Sequence, residues 1–352
     1  MNASSVVEPT AEWPRKGLEP VEKCPACGSH ARRLLYARLA DRSYLCAPGR
    51  WNLFRCQECS CAYLDPRPDE HTAHIAYENY YEGVAAHVPP ARAGRWRRLR
   101  RALRNGYLNS RCGYRLAPAS ALGPSVARLF LGYKERADEH VRHLRLPPGR
   151  PRILDVGCGE GEFLAEMQAL GWFAEGIDPS ADAVAIARSR GVTVTKATLS
   201  DAALETASFD AITFRLVIEH LRDPASALRA CRQALKPGGI LWIATPNLES
   251  EGHSVFGEHW IHLQPPRHAV GYTPMSLMRL LADSGFEVIV LRPLCQARWS
   301  FRMSAAMARG LSPFANSPPL RGALALRARL TDLRALRRPE MADVMIVIAR
   351  AA

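Results

Sequence analysis

Three glycines at alternate positions, Gly157, Gly159 and Gly161, follow the strand-like run Arg152 to Val156 and precede a helical pattern that opens at Glu162. A loop of this kind lets backbone approach a nucleotide-like ligand closely, because glycine has no Cβ to hold it off. The charge around the loop narrows the ligand. Asp155 precedes it, Cys158 and Glu160 lie within it, and Glu162 follows it. A dinucleotide site spaces its glycines G-x-G-x-x-G and sets a pyrophosphate on a helix N-terminus. Carboxylates on a G-x-G-x-G loop would repel a diphosphate and suit a ligand that carries an ammonium and a sulfonium. Spacing and charge together exclude a Rossmann oxidoreductase.

The elements that must position this loop follow in order. Trp172 to Ile177 reads as a second strand, ending in Asp178-Pro179-Ser180. An acid at the carboxyl end of a strand, 17 residues past Gly161, can accept both hydroxyls of a ribose; its structural alternative is to cap the helix 181–190. A third strand is expected at 192–195 and a fourth at 211–214. The fourth runs into Arg215-Leu216-Val-Ile-Glu219-His220-Leu-Arg-Asp-Pro224. A helix over 225–235, a Lys236-Pro-Gly-Gly239 break and a fifth strand over 240–244 complete the run. Strands alternating with helices of this length imply an α/β fold, a doubly wound parallel sheet with its ligand at the strands' carboxyl ends.

These segments, spread in order over about a hundred residues, closely resemble the class I S-adenosylmethionine-dependent methyltransferases. The Phe209-Asp210, Ile218-Glu-His-Leu221 and Leu235-Lys-Pro-Gly-Gly239 segments are similar to those of the ubiquinone-type and related small-molecule members. The resemblance implies a seven-stranded Rossmann-like sheet, S-adenosylmethionine as cofactor, and a cofactor site at Asp155, Gly157, Cys158, Gly159, Gly161, Asp178, Pro179, Thr198, Arg215 and Leu216. Many relatives carry an acid after the third strand for the adenine amino group. Lys196-Ala-Thr198-Leu stands there instead, so backbone or Thr198 would have to make that contact, with Asp201 reading as a local cap.

A second constellation is Cys24-Pro-Ala-Cys27-Gly28 with Cys56-Gln-Glu-Cys59, 28 residues apart. Each Cys-x-x-Cys can present two thiolates to one tetrahedral Zn²⁺, and four cysteines leave no open coordination position, so such a metal is structural. Unligated core thiols or a redox pair are the alternatives. Cys46, Cys61 and His30 lie nearby, and Cys61 could replace Cys59. Trp51 to Cys56 reads as a strand leading into the second knuckle. Pro66 and Pro68 should stop any strand that follows. The ribbon, Asp65-Pro-Arg-Pro68 and the tyrosine-rich segment Tyr77 to Glu82, expected to be helical, together resemble the N-terminal module of bacterial methyltransferases linked to sugar, cell-surface polysaccharide or natural-product tailoring. The tyrosines could pack on the ribbon or line a pocket mouth.

Length and composition bound the rest. At 352 residues with 47% apolar content, the chain is long enough for a large core and more than one folded unit. No run of eighteen apolar residues occurs, which argues against a membrane span. Residues 1–20 lack an apolar signal core, so they read as a disordered leader and the expected location is cytoplasmic, where ten cysteines point to metal rather than disulfides. The net charge of +13 is concentrated: nine arginines fall between Arg92 and Arg115, with Trp96 and Tyr107 among them. Such a block can hold phosphates of RNA, anionic lipid or a nucleotide-linked substrate, or be a solvated helical linker. The expected organisation is a leader over 1–20, a zinc ribbon over 21–68, a basic helical linker over 69–125 and a methyltransferase domain over 126–352. A helix over 125–145 leads into that domain. Residues 294–338 form a helical insertion before the last strand and read as an interfacial membrane helix, a cap or a dimer face.

For catalysis, His220 lies where an imidazole could face the methyl group, and His268 in the loop His259 to His268 is the second candidate base. Glu219 could orient His220, although adjacent helical residues point apart. The loop also carries His262, Trp260 and Arg267 at the sheet edge where substrate is expected. The leading expectation is methyl transfer to a small-molecule acceptor: a sugar, nucleotide-sugar, glycolipid or secondary-metabolite hydroxyl or carbon. The alternatives are an RNA methyltransferase that grips RNA through the ribbon and arginine block, and a non-catalytic module that keeps the fold. Peripheral membrane contact through the basic segments accompanies any of them.

Overall fold

The computed structural model describes residues 11–78 and 94–351. Residues 1–10 of the expected leader, Tyr80, Tyr81 and Arg92 therefore lie outside the described residues, and the rest of that leader is corrected to folded chain: Trp13 is buried in the ribbon core and Leu18–Glu19 is a strand. In the N-terminal part, β1 (Leu18–Glu19) pairs antiparallel with β5 (Arg67–Pro68), while β2 (Arg32–Leu39), β3 (Trp51–Cys56) and β4 (Ala62–Leu64) form a meander. The expectation that Pro66 and Pro68 stop any strand is corrected for Pro68, which lies in β5 opposite Leu18, in a two-residue edge pairing where a missing N–H is tolerated.

The main sheet contains β6 (Arg152–Val156), β7 (Phe173–Asp178), β8 (Thr193–Lys196), β9 (Phe209–Arg215) and β10 (Leu235–Pro246), all parallel. Three further strands follow: β11 (Val270–Gly271), β12 (Phe286–Leu294) and β13 (Val344–Ala351). The seven-stranded order is β12-β13-β10-β9-β6-β7-β8, with β13 antiparallel to both neighbours. The chain leaves β6 toward β7 and β8, then returns to its other side with β9. The crevice between the carboxyl ends of β6 and β9 is therefore the topological switch point where such sheets bind ligands. Both faces are covered: Leu154, Phe214 and Leu241 pack against the helices Pro224–Ala234 and Pro274–Asp283, and Ile153, Ala174 and Ala211 against Leu164, Met167, Tyr107 and Leu108.

Three sequence expectations change. The helix expected over 125–145 is two, Gly123–Leu129 and Leu131–His140, bent at an extended Phe130. It stops because Arg142 and His143 adopt φ of +50° and +58°, a turn that delivers the Arg142 guanidinium into the interior against Asp155. The Lys236-Pro-Gly-Gly239 segment is not a break: Lys236 binds Asp210 at 2.7 Å, and the chain stays beside β9 with a register shift between Leu235 and Ile240. The basic stretch is a helix, Arg95–Cys112, whose last turns bury Tyr107, Leu108 and Cys112 in the sheet's own core.

A feature absent from the sequence reading joins the two parts of the chain. β11, from the long loop after β10, adds to the edge of the ribbon meander, giving the order β11-β4-β3-β2. The ribbon core is likewise shared: Trp13, Trp51 and Leu53 pack with Leu248, Trp260 and Leu263. Among the described residues no helix is long and apolar enough to cross a membrane.

Candidate functional site

The glycine loop leaves β6 and crosses to β7, with the N–H groups of Gly157 and Cys158 donating to the Ile177 carbonyl at 2.8 and 3.2 Å. Gly157 has φ +67°, and a Cβ there would stand 2.6 Å from Val217 Cγ2. Bare backbone is therefore what lets the segment after β9 lie against the loop. Gly159, at φ +53°, has nothing within 4 Å of an added Cβ, so its open side faces the cleft. That open, glycine-lined surface fits a cofactor whose approach a side chain would block.

Asp178 ends β7 with 6% exposure and accepts from the N–H of Gly159 at 2.8 Å and of Ser180 at 2.9 Å. The helix after it is capped by Ser180, whose hydroxyl accepts from Ala183 N–H, so the capping alternative for Asp178 falls. Burial raises the Asp178 pKa, while both backbone N–H bonds favour its carboxylate form. Pro179 follows at the mouth of the cleft. Cys158 lies under the loop, its thiol pushed up to about 12 by burial. Leu216 begins the turn after β9 in a left-handed conformation, φ +57°.

Three of the expected cofactor residues are otherwise engaged. The Asp155 carboxylate, 2% exposed, takes a bidentate contact from Arg142 and a 2.9 Å bond from the Thr213 hydroxyl. Thr198 donates to the Asp201 carboxylate at 2.5 Å. Arg215 donates to Glu139 at 3.2 Å.

At the carboxyl end of β9 a short 3-10 turn, Ile218–His220, carries the candidate base. His220 Nδ1 lies 2.9 Å from the Arg267 carbonyl and 3.0 Å from the Tyr77 hydroxyl. A carbonyl can only accept, so Nδ1 carries the hydrogen and Nε2 presents a lone pair. His268 repeats the arrangement, donating from Nδ1 to the His262 carbonyl at 2.7 Å. The two rings meet edge-to-face with centroids 4.7 Å apart. Glu219 joins them: one polar atom from each of Glu219, His220 and His268 lies within 4.8 Å of the others. The expectation that neighbouring Glu219 and His220 diverge is thus corrected, because both serve one cluster. Thr245 donates to Glu219 Oε2 at 2.9 Å, while Oε1 is buried without a partner among the described residues. Burial pushes Glu219 up to about 8 and His220 down to about 4. Burial disfavours the charged form of all three groups.

The loop expected to meet substrate instead grips the ribbon. The Arg267 guanidinium and the Asp41 carboxylate, both with side chains at 0% exposure, pair at 2.5 and 3.0 Å. Trp260 is 1% exposed in the shared core, and His259 contacts Arg42. The three loop histidines therefore do not converge. Asp41 was not singled out from sequence, although Asp41-Arg-Ser is a turn signal and its carboxylate accepts from four backbone N–H groups between Ser43 and Ala47. Breaking one partner of a buried pair costs about 3–5 kcal/mol. Arg267→Met is accordingly expected to lower urea-unfolding stability by about that much, with Asp41→Leu in the same chain restoring part of the loss.

The four candidate zinc ligands do converge. Cys24, Cys27, Cys56 and Cys59 bring their sulfurs within 4.8 Å of one another, with Cys24–Cys59 at 3.5 Å and Cys27–Cys56 at 3.6 Å. A disulfide needs about 2.05 Å, whereas sulfurs each about 2.3 Å from a tetrahedral ion lie a little under 4 Å apart. The arrangement fits such an ion. Cys61, also buried, stands 3.2 Å from Cys24 yet outside the group of four.

Comparison with known proteins gives a coherent result. The family described as "Methyltransferase domain" matches residues 126–291. A ubiquinone biosynthesis O-methyltransferase of Xanthomonas axonopodis pv. citri is 34% identical over 171 residues, 45% of this chain and 72% of that protein. Its counterpart from Thiobacillus denitrificans is 32% identical over 156 residues, 41% of this chain and 67% of that protein. Among solved structures, an S-adenosylmethionine-dependent methyltransferase of Mesorhizobium loti aligns at 22% identity with a TM-score of 0.40, covering 66% of this chain and 98% of that one. The ribbon cysteines precede the matched stretch.

Proposed function

Because the chain belongs to the class I S-adenosylmethionine-dependent methyltransferases, we propose that it carries the methyl group to a hydroxyl oxygen of a small-molecule acceptor, with His220 as the base. The acceptor class is a sugar, nucleotide-sugar, glycolipid or secondary-metabolite hydroxyl. The observation that carries this reading is the Arg267 carbonyl bond, which fixes the His220 tautomer with its lone pair on Nε2.

The cofactor supplies an electrophilic methyl carbon on a sulfonium. The chain's contribution is placement. Gly159 offers the open backbone of the floor, with Gly157 and Gly161 packed against Val217 and Val192 to shape the loop, and the Asp178 carboxylate has lone pairs left for ribose hydroxyls beyond those used by Gly159 and Ser180 N–H. As the acceptor oxygen gains the methyl carbon, the electrons of the broken carbon–sulfur bond stay on sulfur. The hydroxyl proton passes to His220 Nε2 and then to solvent. His268 and Glu219 fill the space behind His220 and keep water out, which holds the ring in one orientation. The four cysteines hold a structural Zn²⁺ with no coordination position for substrate. The ribbon over 21–68 is then an acceptor-side wall fastened to the methyltransferase domain.

Calorimetric titration tests the cofactor site. S-adenosylmethionine is expected to bind and NAD not to bind, and Asp178→Ala to weaken S-adenosylmethionine roughly a hundredfold, the loss of two charge-assisted hydrogen bonds. Tritiated-methyl transfer to a panel of hydroxylated small molecules and to RNA then tests the acceptor. Label found only in RNA would overturn the small-molecule reading.

A further inference from the structure

A groove of about 2420 Å³ is walled by the helices Arg95–Cys112, Leu131–His140 and Gly322–Ala335. Eleven arginines line it against two carboxylates, Glu139 and Asp332. Arg98, Arg100, Arg101, Arg136, Arg329 and Arg337 have no carboxylate within ion-pair distance among the described residues. The same rim is apolar. At the helix bend Leu129, Phe130 and Leu131 are 77%, 61% and 51% exposed. The helix Gly322–Ala335 buries Ala328, Thr331 and Ala335 on one side, and on the other exposes Leu326, Leu330 and Leu333 at i, i+4, i+7 spacing. That is a second apolar stripe, flanked by Arg327, Arg329, Arg334 and Arg337. Where the arginine helix begins, Trp96 is 76% exposed and Leu99 47%.

We propose that this face docks on a bilayer surface containing anionic lipid, with the arginines on the headgroups and the Leu129–Leu131 tip and Leu326/Leu330/Leu333 stripe in the acyl boundary. Charge complementarity selects the anion. The leucines select a lipid over a nucleic acid, because RNA offers phosphates but no apolar phase, and its bases stack on aromatic planes rather than aliphatic side chains. Every apolar group in the set lies on or beside an element that also carries arginine, the composition of an interfacial surface.

Flotation of the full-length, zinc-replete protein with vesicles is the test. Binding to phosphatidylcholine vesicles containing phosphatidylglycerol is expected to exceed binding to phosphatidylcholine alone by roughly tenfold or more, and to fall with added salt. The pair Arg98→Gln and Arg101→Gln is expected to lower it by roughly tenfold, and Leu129→Ser, Phe130→Ser and Leu131→Ser together to reduce it comparably at low salt. Phe130→Trp supplies a readout independent of lost binding: a blue shift in emission, relative to the parent protein, on adding anionic vesicles. Equal binding to both vesicle types, retention by the triple serine variant, or unshifted emission from the Phe130→Trp variant would overturn the proposal. So would an RNA oligonucleotide that binds both the parent and the serine variant more tightly than vesicles do.

Discussion

Replacing Cys56 with serine, or stripping the zinc proposed for the four-cysteine site, is expected to abolish methyl transfer while leaving S-adenosylmethionine affinity nearly unchanged. The free energy at stake is large, since structural zinc in small modules contributes about 10–16 kcal/mol of binding that is also folding energy. Around the cysteines the packed cluster is small, holding Val21, Ala26 and Tyr63 besides five thiols. Without the ion, four sulfurs at such spacing have only one another as partners, and the knuckles would open. The damage would travel by a defined route. Tyr63 pairs with Val270 and Ala62 with Gly271, and Val270 stands two residues from His268. Arg267, whose carbonyl holds His220, is itself held by Asp41 of the ribbon. The glycine loop and Asp178 depend on β6 and β7, which have no strand pairing with the ribbon. Metal content, a thermal melt, cofactor calorimetry and single-turnover rate on one preparation separate these effects. A metal-free protein with full turnover would show that the ribbon does not shape the site.

The backbone of the glycine loop and the place of Asp178 were legible because their signals are local: glycines where φ is positive and an acid at a strand end. Strand alternation likewise placed β6 to β10 within a residue or two at most ends. The acceptor half was not legible, for a different physical reason. Arg267 and Asp41 lie 226 residues apart, and nothing in either neighbourhood announces a buried pair. An arginine in a loop at the sheet edge reads as a substrate contact until its partner is known. Trp260 misled in the same way, since an aromatic in a loop is equally suited to a pocket and to a distant core. β11 is two residues long, below what periodicity can detect, yet it decides which side of the loop faces the ribbon. The bend at Phe130 escaped because the pattern around it is continuous, and what ends the helix is the tertiary demand of Arg142 for Asp155.

His220→Gln is expected to lower kcat about a thousandfold, within the 10²–10⁴ range for a positioned general base, with little change in S-adenosylmethionine affinity. Glutamine can still donate to the Arg267 carbonyl, so the fold is kept and the proton acceptor is lost. The pH dependence gives a second, sharper expectation. Burial, the largest cause, holds His220 at about 4 against an ordinary 6.5. The proton-accepting form is therefore complete throughout the neutral range, and kcat should show no inflection near 6.5. Stability sets the acid side. His220, His262 and His268 all have depressed pKa values in the fold, so the unfolded chain binds more protons below 6.5 and their contribution is lost as pH falls through that interval toward 4. Glu219 behaves oppositely: raised by burial to about 8, it contributes stability that is fully present below its ordinary 4.5 and is lost progressively as pH rises toward 8. These three histidines, with His253 depressed by burial in the same way, outweigh Glu219 and the raised Asp332 below 6.5, and Glu219 is the main one of these groups still losing its proton above it. The melting temperature should accordingly be highest near about pH 6.5, and Glu219→Gln should remove the decline on its alkaline side while leaving the acid one. A kcat inflection at 6.5 that survives in a fully folded sample would mean that the titrating base is a solvent-exposed group, and His220 would lose its assignment.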